Sequence, residues 1–186
     1  MNSRKHVVFV LLILLFLASA LLTGCGGTDM SAEKALDKFA KIIESGKLDD
    51  LSLTIYYVSP TLLTNMPLPA DALKGGKNKI VIDGSRLEEH IDLLSQINGD
   101  ILVPIESGYP LDARLYFIFN NKNRKIFDVV IKGTSDGSMY VNGLEIEQND
   151  IFYYLILPFL PEDVPEAEGW IDFINARKQE IAENGG

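Results

Sequence analysis

Reactive and metal-binding side chains are scarce in this chain. Its 186 residues include one cysteine, Cys25, and two histidines, His6 and His90. A single cysteine excludes an intramolecular disulfide and a cysteine-based zinc site. Two histidines leave little for histidine catalysis or a histidine metal centre. We therefore predict no catalytic residue, no metal site and no cofactor.

Positive charge is also in short supply. The chain has 17 basic against 26 acidic side chains, a formal net charge of -9. A surface that neutralises phosphates needs clustered lysines and arginines, so the composition predicts no nucleic-acid binding. The hydrophobic fraction of 47% excludes wholesale disorder.

The N-terminus has the pattern of a targeting segment. Residues 1–6 contain Arg4 and Lys5 and no acidic residue, and residues 7–22 contain no charge. Sixteen helical residues span about 24 Å, which is short of the ~30 Å hydrocarbon core of a bilayer. A basic start, a short apolar stretch and small residues after it are typical of a secretory signal peptide.

The end of this segment reads Leu22-Thr23-Gly24-Cys25 and resembles the lipobox of bacterial lipoproteins. The resemblance covers about the first 25 residues. It implies a diacylglyceryl group on the Cys25 sulfur, cleavage between Gly24 and Cys25, and a protein held on the cell membrane outside the cytoplasm. Two acyl chains anchor a protein stably, whereas one holds it only marginally. The alternative is an uncleaved membrane anchor whose cysteine is incidental.

Cleavage divides the chain into four parts. Removal of the signal peptide, residues 1–24, takes away two basic and no acidic side chains, so the net charge becomes -11. Residues 25–30 form the lipidated cysteine with a very short tether. Residues 31–161 are predicted to be the folded domain, and residues 162–186 an acidic C-terminal segment whose helix docks on it.

The hydrophobic periodicity predicts an α+β domain. Helices are expected at 31–45, 85–99, 149–157 and 166–183, with a helical turn at 70–74 in a long loop. Strands are expected at 51–58, 79–83 and 101–105 and in two hairpins, 113–132 and 139–147. Consecutive hairpins favour a largely antiparallel sheet, with about four helices covering one face.

Two features of the body could carry an interaction. Asp128 lies in a strongly apolar strand, and an inward carboxylate needs a partner, for which Arg114 on the neighbouring strand is the candidate in a structural ion pair. Residues 151–161 contain no charge at all. They are therefore either buried, with the C-terminal helix as cover, or exposed for a protein partner through Phe152, Tyr153 and Tyr154. Burial is favoured.

The mature body resembles no named enzyme or transporter family and looks like the small bacterial lipoproteins without an assigned role. The leading hypothesis is a lipid-anchored, extracytoplasmic binding or envelope-assembly module without catalysis. Its expected partners are the membrane, through the anchor, and a protein. The alternative is a small hydrolase that acts on cell-wall material through acidic residues. A hydrolase of that kind would cluster carboxylates of raised pKa in one cleft.

Overall fold

The computed structural model describes residues 31–133 and 137–184. The predicted signal peptide, the cleavage after Gly24 and the lipidation of Cys25 lie outside the described residues.

The described part of the chain contains helices and strands in mixed order. The helices are α1 (Ala32–Glu44), α2 (Ala70–Lys74), α3 (Gly84–Glu88), α4 (Ile91–Leu94), α5 (Ile151–Ile156) and α6 (Pro165–Asn184). The strands are β1 (Leu51–Tyr57), β2 (Lys79–Asp83), β3 (Ala113–Asn121), β4 (Arg124–Lys132), β5 (Ser138–Val141) and β6 (Leu144–Glu147). Short 3₁₀ turns occupy Gly99–Ile101 and Leu157–Phe159.

All six strands join one antiparallel sheet in the order β2-β1-β3-β4-β5-β6. Neighbouring strands in this order are consecutive in the chain except β1 and β3, which pair because β2 lies on the other side of β1. The predicted α+β class with an antiparallel sheet of hairpins is confirmed.

The main core lies between one face of the sheet and five of the helices. Along β1 buried and half-buried residues alternate, so every second side chain points into this core. Phe39 of α1 lies over the β3–β4 pair, with its ring centroid 4.7 Å from that of Phe119 and 5.1 Å from that of Phe127. These rings hold α1 against the middle of the sheet.

The second face of the sheet is covered in part. Tyr116 and Val130 on this face are buried together with Leu73 of α2, and the Tyr56 ring stacks on Tyr116. The short helix α2, predicted only as a helical turn, covers this face, whereas the predicted helices pack against the other. The loop before α2 is long enough to carry that short helix across the edge of the sheet.

The C-terminal helix is part of the main core. Trp170 and Ile174 of α6 are fully buried in it. The indole N–H of Trp170 donates to the carbonyl of Val58, 2.7 Å away, directly after β1. Residues 31–161 and α6 thus share one core.

Two local predictions are wrong. Residues 101–105 form a 3₁₀ turn and a single bridge from Pro104 to Ile146 instead of a strand. Proline has no N–H to donate, which limits the ladder beside β6. The Ser85-Arg86-Leu87-Glu88 sequence has the pattern of a capping box, which predicts Ser85 as the N-cap of a helix. Asp83 caps α3 instead, by accepting from the Arg86 N–H at 3.1 Å.

The turn between β5 and β6 has the sequence Asn142-Gly143, and Asn-Gly between apolar residues predicts a two-residue hairpin turn. Asn142 and Gly143 have φ of 47° and 80°, the left-handed conformation that a two-residue type I′ hairpin requires. A built Cβ at Gly143 meets no atom within 4 Å, so space is not what favours glycine there. The conformation itself does.

We expect Gly143→Ala to destabilise the protein by about 1–2 kcal/mol, because a side chain in the left-handed region clashes with its own backbone. Gly75→Ala is the matched control, since Gly75 has a φ of -82°. Urea unfolding should show a loss for Gly143→Ala alone. Equal stability of the two variants would contradict the strained-turn account.

Candidate functional site

The most polar cluster surrounds Glu145 of β6. Its carboxylate accepts from the Ser107 N–H at 3.2 Å and from the Ser107 hydroxyl. The Ser138 hydroxyl lies at 3.0 Å and the Lys132 ammonium at 3.2 Å. The Lys132 side chain is buried, and its ammonium also lies 5.3 Å from the centroid of the Tyr140 ring.

The ionised state of Glu145 fits a structural role for this cluster. The hydrogen bonds from Ser107, and then those from Ser138 and Lys132, lower the pKa of Glu145 to about 2 from its ordinary 4.5. A carboxyl group held ionised in this way is a poor general acid. The cluster ties β4, β5 and β6 to the segment before β3.

The carboxyl groups as a whole do not form an acidic catalytic cleft in the described residues. Those with clearly shifted pKa values are Asp71, Asp83 and Glu145, and all three shifts are downward. Catalytic acids of glycoside hydrolases need the opposite shift. The hydrolase alternative thus gains no support from these side chains.

The predicted pair of Asp128 with Arg114 is not formed, because each residue has another partner. Asp128 accepts from the Tyr116 hydroxyl at 2.9 Å and from the Lys125 ammonium at 3.0 Å. Burial, followed by the charge of Asp128, raises the pKa of Tyr116. Arg114 instead forms a two-pronged ion pair with Asp112, two residues before it in the chain. Strand spacing identified the need for a partner but not the partner.

Phe152, Tyr153 and Tyr154 form no open partner surface. Phe152 and Tyr153 are buried, and the Tyr153 ring centroid lies 5.4 Å from that of Phe173 on α6. Tyr154 is half-buried, with the Lys178 ammonium 4.9 Å from its ring centroid. Burial under the C-terminal helix is confirmed, and the partner-surface alternative is wrong for Phe152 and Tyr153.

An exposed apolar surface occurs instead on residues 59–69, which are predicted only as part of a long loop. Leu63 is 95% exposed, Met66 75% and Leu62 41%. Full burial of one such side chain contributes about 1.5–3 kcal/mol of free energy, and the exposed side chains of this loop do not make that contribution. The signal in the sequence is the absence of any charged residue from 51 to 70.

Arg114 and Asp112 hold this loop in shape. The buried guanidinium of Arg114 donates to the Thr64 hydroxyl at 3.2 Å, near the tip. The carboxylate of Asp112 accepts from the Leu68 N–H at 2.9 Å, and the Leu68 carbonyl accepts from the Ala113 N–H at 2.8 Å. The tip and the second limb of the loop are therefore tied to the start of β3.

A basic cleft of about 580 Å³ lies at the other end of the sheet, between α1 and the β3–β4 turn. Lys38, Lys122 and Arg124 line it, and Ile42 and Ile126 form its apolar part. Lys122 pairs with the exposed Asp50 at 3.2 Å. Among the described residues, Lys38 and Arg124 form no ion pair.

The basic side of α1 faces the cleft, which Lys38 lines. Residues three and four apart share one side of a helix, so one side carries Lys34, Lys38 and Lys41 and the adjacent side carries Glu33, Asp37 and Glu44. The acidic side points toward the 3₁₀ turn, where Asp37 accepts from the Gly99 N–H at 3.0 Å. Acidic side chains of α1 thus lie apart from the cleft.

The ionised state of Glu145 gives a testable pH dependence. Because its pKa is lower in the folded protein, its stabilising effect is complete above pH 4.5 and is lost as the pH falls toward 2. We expect Glu145→Gln to lower the melting temperature at neutral pH, and the difference from wild type to shrink over that range. Glu147→Gln, at an exposed position on the same strand, is the control and should change little. A difference for Glu145→Gln that stays constant with pH would contradict this role.

The candidate functional surfaces are thus the basic cleft and the exposed loop. Within the described ranges, no three or more His, Cys, Asp or Glu side chains gather to hold a metal ion. No helix in this part of the chain is long and apolar enough to cross a membrane. Comparison with family models, curated proteins and solved structures gives no match.

Proposed function

We propose that this protein is a lipid-anchored, extracytoplasmic binding module without catalysis. The anchor is the diacylglyceryl group on Cys25, which the Leu22-Thr23-Gly24-Cys25 sequence supports. The core that the described residues form runs from Ala32 to Ile174 and so lies after the cleavage site, which is compatible with this processing.

The basic cleft is the observation that carries the binding function. Three cationic side chains line one concavity of a chain whose net charge is -9. Lys122 pairs with Asp50, but Lys38 and Arg124 form no ion pair among the described residues, so a bound anion supplies a partner for their charges. Arginine and lysine are the side chains that bind phosphate and carboxylate groups best. The ligand class is therefore a compact anionic group on an envelope component or on a protein partner.

The topology places this cleft away from the anchor. Residues 45–50 connect the end of α1 to the start of β1, so the two elements run in opposite directions. The cleft is at the end of the sheet where α1 finishes and β3 turns into β4. Nine residues of β3 separate the two ends of the sheet by about 30 Å. A module anchored before α1 presents the cleft away from the membrane.

Lipidation is tested by metabolic labelling with a fatty-acid analogue. We expect the full chain to be labelled in a bacterial host and the Cys25→Ala chain to remain unlabelled, because the Cys25 sulfur is the atom that receives the lipid. Equal labelling of both chains would contradict the anchor.

The cleft is tested with inorganic phosphate as the probe. We expect phosphate to raise the melting temperature of the wild type more than chloride does at equal ionic strength, because a ligand stabilises the state that binds it. The doubly substituted Lys38→Gln, Arg124→Gln chain should lose the excess of a few degrees. Lys77→Gln is the control, since Lys77 is exposed and distant in sequence from the cleft.

Phosphate also stabilises proteins by general exclusion from their surface. That effect should be the same in all three chains, so the difference between chains isolates the cleft. Identical phosphate effects in the wild type and the double variant would contradict anion binding there.

A further inference from the structure

We propose that loop 59–69 is a second membrane contact, in which Leu62, Leu63 and Met66 enter the interfacial region of the bilayer that holds the lipid anchor. This inference rests on the anchoring proposed above and adds a surface that anchoring alone does not require.

The loop has the composition of a membrane contact. Residues 61–67 are all exposed, and no charged residue occurs between 51 and 70. Charged groups are costly to move into a bilayer, whereas Leu and Met side chains enter it favourably. Leu63 is 95% exposed and Met66 is 75% exposed, and these are the two most exposed large apolar side chains of the described residues.

The loop is already shaped for insertion. The Arg114 guanidinium and the Asp112 carboxylate hold Thr64 and Leu68 in place. At the start of the loop Pro60 is buried, close to Gly169 of α6. A loop fixed before contact loses little conformational entropy on binding, so the gain from its apolar side chains is retained.

The loop and the anchor lie at the same end of the sheet. The loop follows the end of β1, and α1 runs opposite to β1, so the start of α1 is at the loop end. Contacts within the protein also place the start of α1 at this end. Glu33 and Asp37 near the start of α1 lie beside Gly99, and the adjoining Ile101 accepts from Asn149, which follows β6 at that same end.

The anchor is close enough for the loop to reach the bilayer. Cys25 is six residues before Ser31, and six extended residues span at most about 20 Å. The start of α1 can therefore be no farther than that from the lipid headgroups. The domain is held with its loop end near the bilayer.

The bilayer fits this surface better than a protein does. The loop exposes three large apolar side chains, Leu62, Leu63 and Met66, whereas a stable protein interface buries roughly 800 Å² on each partner. The remainder of the mature chain carries a net charge of -11 and is repelled by anionic headgroups. The uncharged loop is therefore the part of the protein, at the end of the sheet where α1 begins, that can enter the bilayer without moving a charge into it.

The test uses the full lipidated chain in vesicles of phosphatidylcholine and phosphatidylglycerol in equal parts. With Cys25 acylated, Leu63→Cys supplies the sole free thiol for a polarity-sensitive fluorophore. Lys47→Cys is the control, because Lys47 is exposed and follows α1 at the opposite end. Replacing the phosphatidylcholine by its brominated form should quench the dye at position 63 several-fold more than the dye at position 47.

Two measurements separate the two proposals. Absence of an acyl chain on Cys25, seen by mass spectrometry, would overturn the anchoring and with it the loop contact. An acylated chain whose dye at position 63 is quenched no more than the dye at position 47 would overturn the loop contact and leave the anchoring intact.

Discussion

The pairing of β3 with β4 organises the rest of the molecule. These are the two longest strands, and Phe119 faces Phe127 directly across the pair, with ring centroids 5.0 Å apart. Phe39 closes over both rings from the helix side. On the other face Tyr116 lies opposite Val130 under the cover of α2. Since both faces of one hairpin carry core, a slip in its register would disrupt both layers at once.

Each end of this hairpin positions one of the surfaces to which we assign a function. The turn end supplies Lys122 and Arg124 to the basic cleft. At the open end, Arg114 from the first strand fixes loop 59–69, and Lys132 from the second fixes Glu145. A cation buried at the open end is costly unless it is paired, and both have carboxylate partners. The rigidity of the loop therefore derives from the same pairing as the core.

The sequence predicted the repeating elements well and the individual partners poorly. Period-two burial in β1 and the Asn142-Gly143 turn depend on local geometry, so both could be predicted. The partner of Asp128 depends on which side chains the strand register places beside it. Those side chains are Lys125 and Tyr116, and Arg114 is not among them. The basic cleft joins α1 to a turn more than 80 residues later, and no local pattern connects the two.

The uncharged stretch from 51 to 70 has two parts with different physical causes. In β1 the apolar side chains are required, because every second one is buried in the main core. In the loop, Leu63 and Met66 are exposed and contribute little to that core, so polar side chains would serve the fold equally well. Folding therefore explains the first part and leaves the second without a cause inside the molecule. We propose that the bilayer, at the end of the sheet where α1 begins, supplies that cause.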